Sequence, residues 1–234
     1  MRYSFRDRSE KSELLDASDI SRELLWQNLH ELDILNRALG GHAITMEGIK
    51  ELVTDKRKTY HIADLGCGSG DILKHIADWA KGHGYHVRLT GVDKKPDAIS
   101  YLNKNCRGYA EISGTIADYR DFLLENAAID IICCSLFCHH LNDDELIELI
   151  SDMKKRATTG FIINDLRRNR FAYYGVKCLT SLLRSSLLSK NDGPVSVLRA
   201  FRARELDLLL QKADARRYSI KRKWAFRYLV VGRR

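Results

Sequence analysis

His61-Ile62-Ala63-Asp64-Leu65-Gly66-Cys67-Gly68-Ser69-Gly70-Asp71 runs from an apolar strand pattern straight into three glycines within five positions, and then into helical periodicity. Glycine accepts positive φ and carries no Cβ, so the backbone can bend sharply and come close to a ligand there, while the helix beyond offers free N–H groups. A second apolar run ends at Asp93, 23 positions past Gly70, and a carboxylate at such a strand tip can accept both hydroxyls of a ribose. The dinucleotide pattern asks for Gly-x-Gly-x-x-Gly, but here the third position is Asp71, whose charge would repel a pyrophosphate. Asp64 adds negative charge that favours a cationic ligand over phosphates.

Outward from this turn, short apolar runs alternate with amphipathic ones. Strands are expected over 59–65, 86–92, 110–117, 127–135 and 160–165, and helices over 69–81, 96–105 and 143–156. With two final strands over 218–223 and 225–231, this predicts an α/β fold: a doubly wound, mostly parallel, seven-stranded sheet covered on both faces. Helical spacing at Leu25, Leu29 and Leu32 puts helices ahead of the sheet, capped by Asp19 or Ser21 and ended by Gly40-Gly41. After Asp165 the alternation lapses into an amphipathic run over 168–190 that includes Leu182 and Leu183. A turn is expected at Asn191-Asp192-Gly193-Pro194, followed by a helix over 196–212. The division is a helical cap over 1–56 and a main domain over 57–234, with a helical insertion over about 167–212.

The chain has 234 residues, enough for one sizeable core. Its longest apolar runs are too short for a bilayer span of about 20 residues, and no charged leader precedes an early apolar stretch, so a cytoplasmic protein is expected. The six cysteines show no paired C-x-x-C spacing, so neither a disulfide framework nor a metal site is expected. Net charge is +8. From residue 160 onward there are 18 Lys and Arg against 5 Asp and Glu, which suits a solvated face, an anionic acceptor or a nucleic-acid surface.

At Ala63-Asp64-Leu65-Gly66-Cys67-Gly68-Ser69-Gly70 the chain resembles the class I (Rossmann-like) S-adenosylmethionine-dependent methyltransferases. The resemblance implies S-adenosylmethionine as cofactor. Its methionine part would lie on Asp64, Gly66, Cys67, Gly68 and Gly70, its ribose on Asp93 and its adenine against Lys94, Ala117, Asp118 and Tyr119. Leu136 and Phe137 would mark the boundary between cofactor and acceptor, and Arg37 would reach the cofactor carboxylate with Trp26 closing the site. Over most of its length the chain also looks like small bacterial methyltransferases associated with type III polyketide synthases, through Leu35 to Gly41, Asn164 to Arg168 and Asp192 to Phe201.

Methyl transfer from a sulfonium is an in-line displacement, so the protein must mainly align the acceptor and exclude water. For a hydroxyl acceptor, His139 or His140 at the carboxyl edge of the sheet is the expected base, with His139 slightly preferred. Asn164, Asp165 and Arg168 could orient the acceptor, and Tyr173 and Tyr174 could line an aromatic pocket. The expected activity is O-methylation of a hydroxylated small molecule, a polyketide-type phenol or pyrone, with carbon and nitrogen acceptors also open. The alternatives are an RNA or protein methyltransferase docking through the basic C-terminal third, and a non-catalytic cofactor-binding scaffold.

Overall fold

Near-continuous burial along β1 (Thr59–Leu65), β4 (Ile129–Ser135) and β5 (Ala157–Leu166) leaves neither face of the sheet to water, so helices must cover both. In the computed structural model, which describes residues 4–17, 19–126, 128–182 and 185–234, these strands join β2 (His86–Asp93), β3 (Ile112–Ile116), β6 (Tyr218–Lys223) and β7 (Arg227–Arg233). The order is β3-β2-β1-β4-β5-β7-β6, parallel except for β7, which runs antiparallel between β5 and β6. Neighbouring residues serve opposite faces: Ile132 and Cys134 pack toward α5 (Tyr119–Glu125), α6 (Asp143–Arg156) and α9 (Ala203–Lys212). Ile131 and Cys133 pack toward α2 (Gly41–Leu52), α3 (Asp71–His83) and α4 (Pro96–Asn105). Strand order reverses between β1 and β4, so a crevice opens at their carboxyl ends, where open α/β sheets bind ligands.

The expected sheet is present, with three departures beyond it. First, α2 is no part of a cap: Ile44, Ile49 and Leu52 lie in one core with Ile162 and Leu229, so only α1 (Arg22–Ala38) and the segment before it cover the crevice. Gly40, at φ +70°, ends α1 and starts α2. Second, the expected turn at 191–194 is the interior of α8 (Leu187–Arg199). Its turn-forming residues have other work. The Asp192 carboxylate accepts the N–H groups of Leu14 and Leu15 at 2.8 Å each, and Gly193 is bare because a Cβ would come within 3.1 Å of Val176 on α7 (Arg170–Leu182). The true break is at Ala200 to Arg202, ahead of α9. Third, β4 begins at Ile129; Ala127, and Leu183 in the insertion, lie outside the described residues.

Residues 4–17 form a strap across the top of the molecule. Ser9 donates its N–H to the Leu198 carbonyl at 3.0 Å, and Arg8 reaches the carbonyls of Arg199 at 2.9 Å and Leu141 at 2.7 Å. No helix among the described residues is long and apolar enough to cross a membrane.

Candidate active site

The glycine turn is built as its composition demands. Gly66, Gly68 and Gly70 all have positive φ, at +70°, +49° and +69°, and a Cβ on Gly66 would strike the Phe137 ring. The turn is tied to β2 because Gly68 donates its N–H to Asp93 Oδ2 at 3.2 Å, while Asp93 Oδ1 accepts from the N–H of Lys95 at 2.9 Å. Above it lies a cavity of about 330 Å³ whose wall includes Asp64, Gly66, Gly68, Asp93, Lys94 and Tyr119. Burial raises the Asp93 carboxyl, partly offset by the two N–H donors. Asp64 is fully enclosed; burial, reinforced by the charges of Asp71 and Asp93, pushes it well above the ordinary carboxylate range, and its Oδ1 has no hydrogen-bond partner. Burial also works against Asp71, but His42, whose Nε2 lies 2.6 Å from Asp71 Oδ2, holds it below that range.

A second cavity, of about 600 Å³ and mostly apolar, lies between α1, α7, α8 and the β6–β7 turn. Leu15, Leu32, Asn36, Leu136 and His140 belong to the walls of both cavities. Leu136 takes a left-handed φ of 54° where β4 ends, a conformation unusual for a residue with a Cβ. The mouth carries Phe171 and Trp224, each 78% exposed.

Three polar side chains converge on the inner wall. His139 Nδ1 lies 2.7 Å from Asp165 Oδ1, and the His139 N–H donates to Asp165 Oδ2 at 3.1 Å. His140 Nδ1 lies 2.9 Å from Asp16 Oδ1 on the strap. The far nitrogens of both rings face Glu13: His139 Nε2 is 3.6 Å from Oε1 and His140 Nε2 is 3.9 Å from Oε2. Burial lifts the Glu13 carboxyl to about 7 against the lowering influence of His140 and the Ser196 hydroxyl. Asp165 moves the other way: burial opposes its charge, yet the His139 ring and the N–H groups of Leu166 and His139 hold it ionised. A carboxylate only accepts, so each Nδ1 directs a proton at its carboxylate. Arg199 fixes the pair from behind by donating to the His139 and His140 carbonyls at 2.9 and 2.6 Å.

Residues 62–160, which carry the glycine turn, Asp93, Asp118 and both histidines, match the family model of a methyltransferase domain. Solved structures share the architecture at low identity, a likeness of fold. The plantazolicin methyltransferase BpumL in complex with SAH is 16% identical with a TM-score of 0.65, over 91% of this chain and 95% of that one. A SAM-dependent methyltransferase from Aquifex aeolicus is 14% identical with a TM-score of 0.63, over 92% and 98%. A candidate O-methyltransferase from Nostoc punctiforme is 12% identical with a TM-score of 0.58; the match takes in 89% of this chain but spans only 60% of that protein. Among curated proteins no sequence matches.

Around the matched segment the residues singled out in the sequence divide into two groups. Asp64, Gly66, Cys67, Gly68, Asp93, Lys94, Ala117, Asp118, Tyr119, Leu136 and Phe137 all border the first cavity. Gly70 shapes the turn without bordering it. His140 stands at the junction of the cavities, and His139 lies deeper, on the second. Asp165 stands behind His139 as its orienting partner.

The others are not brought to either cavity. Arg37 pairs with Asp33 on its own helix, and Trp26 donates to the Asp97 carbonyl. Asn164 spends its amide on the Gly41 carbonyl and the Thr45 hydroxyl, joining β5 to α2. Arg168 is buried under the strap, bonded to the carbonyls of Phe5, Arg6 and Ala200 and paired with Glu205. Tyr173 packs with Phe5, Val197 and Leu198, and Tyr174 is exposed.

Sequence reading missed Glu13, Asp16 and Arg227. Arg227 borders the second cavity; burial depresses its guanidinium to about 10, and it bonds Asn36 Oδ1 at 2.8 Å while Nε and Nη1 have no partner. No local spacing marks these residues, because each acts on a wall built from distant parts of the chain.

Proposed function

We propose that this S-adenosylmethionine-dependent methyltransferase O-methylates an apolar, hydroxylated small molecule of the polyketide phenol or pyrone kind. The observation that carries the reading is the junction of a turn-bound cavity with a larger apolar one at Leu136 and His140. The cofactor fits the first cavity chemically. The turn lacks the Cβ atoms that would crowd it, unpartnered Asp64 Oδ1 is suited to an ammonium group, and Asp93 presents a carboxylate to ribose hydroxyls. When bound, the cofactor supplies an electrophilic methyl group on a positively charged sulfur.

The chain's own residues do the rest. Asp118 and Tyr119 flank the adenine end, and Phe137 closes over Gly66. The apolar walls on α1, α7 and α8 hold the acceptor and exclude water, which favours an in-line encounter. Glu13, His139 and His140 form the polar end where the acceptor hydroxyl is held and its proton drawn off, and the free N–H groups of Arg227 suit a carbonyl oxygen of the same acceptor. Five buried free cysteines accord with a cytoplasmic setting. The basic C-terminal third favours RNA less than its charge suggested: Arg168, Arg199 and Arg227 are turned inward, and Lys221 and Lys223 pair with Glu47 and Glu51.

The test is methylation of phenol and pyrone acceptors by the wild type, Glu13→Gln and His140→Ala. Turnover should fall at least a hundredfold in the variants, within the range usual for lost acid–base groups, with cofactor affinity nearly unchanged. Equal turnover in all three proteins would reject the polar end, and transfer only to RNA or protein would reject the acceptor class.

A further inference from the structure

We infer that Glu13, His139 and His140 form a binding site for one divalent transition-metal ion at the inner wall of the acceptor cavity. No cysteine spacing pointed to a metal, and the ligands come from distant parts of the chain. The argument is geometric. The three side chains each offer an atom within 4.8 Å of the others. The ring nitrogens stand 3.6 and 3.9 Å from the Glu13 oxygens, too far for hydrogen bonds. Two ring nitrogens and a carboxylate face one another across that gap, in a wall where the His139 side chain is 4% exposed. A cation held among these enclosed ligand atoms would offset the cost of burying them.

The outer partners complete the pattern. Metal-bound histidines almost always donate the other ring nitrogen to a carboxylate or carbonyl, which fixes the tautomer and ring orientation. Both do so here: His139 to Asp165 at 2.7 Å, His140 to Asp16 at 2.9 Å. Ser196 donates to Glu13 Oε1 at 2.8 Å, and the Arg199 guanidinium clamps the backbone of both histidines. Two imidazoles and one carboxylate suit borderline ions such as Zn²⁺, Fe²⁺, Co²⁺ or Ni²⁺. All three residues border the acceptor cavity, so the ion's remaining positions are left for water or an acceptor oxygen, whose acidity it would raise. The inference rests on the reading of this wall as the acceptor's polar end. It adds the means by which the hydroxyl is activated.

The experiment titrates the full-length protein, stripped with chelator, with Co²⁺ alone and follows the visible d–d bands. One ion per chain is expected. Glu13→Gln and His140→Ala should each weaken binding at least tenfold, and Asp165→Asn, which touches only the outer partner, by about 10–100-fold. A second cluster, Asp33, His42 and Asp71, lies near the cofactor cavity. His42→Ala should leave the Co²⁺ spectrum unchanged. Absence of Co²⁺ bands, or bands that survive Glu13→Gln and vanish in His42→Ala, would overturn the assignment. Methylation by stripped protein that shows no Co²⁺ binding would overturn the ion and leave the acceptor reading intact. Co²⁺ binding without transfer to any hydroxylated acceptor would do the reverse.

Discussion

Ionising a carboxyl group is costly where it is enclosed, and Asp64 is enclosed with its Oδ1 unpartnered. Its raised pKa means the folded protein binds its proton more tightly than the unfolded chain does. The ligand-free protein therefore loses stability as pH rises from the unfolded value near 3.8 toward the higher folded one. Asp64→Asn should melt higher than the wild type near neutral pH, with the gain vanishing near pH 4. The same variant should bind S-adenosylmethionine at least tenfold more weakly; unchanged affinity by calorimetry would remove the ammonium role. Asp64, the glycines and Asp93 were legible in the sequence because the turn and the strand tip it leans on are local patterns with a fixed physical meaning. Glu13 was not legible. Its meaning comes from His139, 126 positions away, and nothing around it in sequence signals burial.

The elements tell the same story at larger size. Strands and the longer sheet helices were legible because apolar periodicity is strong where both faces are buried, and β1, α4 and α6 have the expected bounds; the seven-residue α5 was too short to be expected. The turn expected at 191–194 misled because Asn, Asp, Gly and Pro mark turns only when their special properties are spent locally. In α8 they are spent on neighbours: Asp192 caps the short helix of the strap, and Gly193 lets α7 approach. That close approach makes α7 and α8 a firm wall for the acceptor cavity, so bulk added to it should intrude on the ligand. Leu179→Trp, on the α7 side, should raise KM for large acceptors at least tenfold while leaving cofactor affinity alone. Steady-state kinetics with a large and a small phenol would read this, and equal KM shifts for both would place the acceptor elsewhere.

For the whole molecule, the strap is held in part by a buried arginine that sequence reading assigned to the acceptor. Arg168 binds carbonyls on residues 5, 6 and 200, and its side chain is wholly enclosed. Arg168→Ala would orphan those oxygens. Two of them lie on the strap and could rehydrate by lifting away, so the net cost should be about 3 kcal/mol, a fall in Tm of roughly 6–12 °C for a chain of this size. Turnover should fall further than stability alone explains, because a lifted strap withdraws Glu13; a variant that melts lower yet turns over normally would uncouple the two. The strap has a consequence during synthesis as well. Residues 4–17 are made long before their partners, and Ser9 and Leu14 can dock only after Asp192 and Leu198 have emerged. Until then the strap has nothing to dock on and stays open to proteases and chaperones.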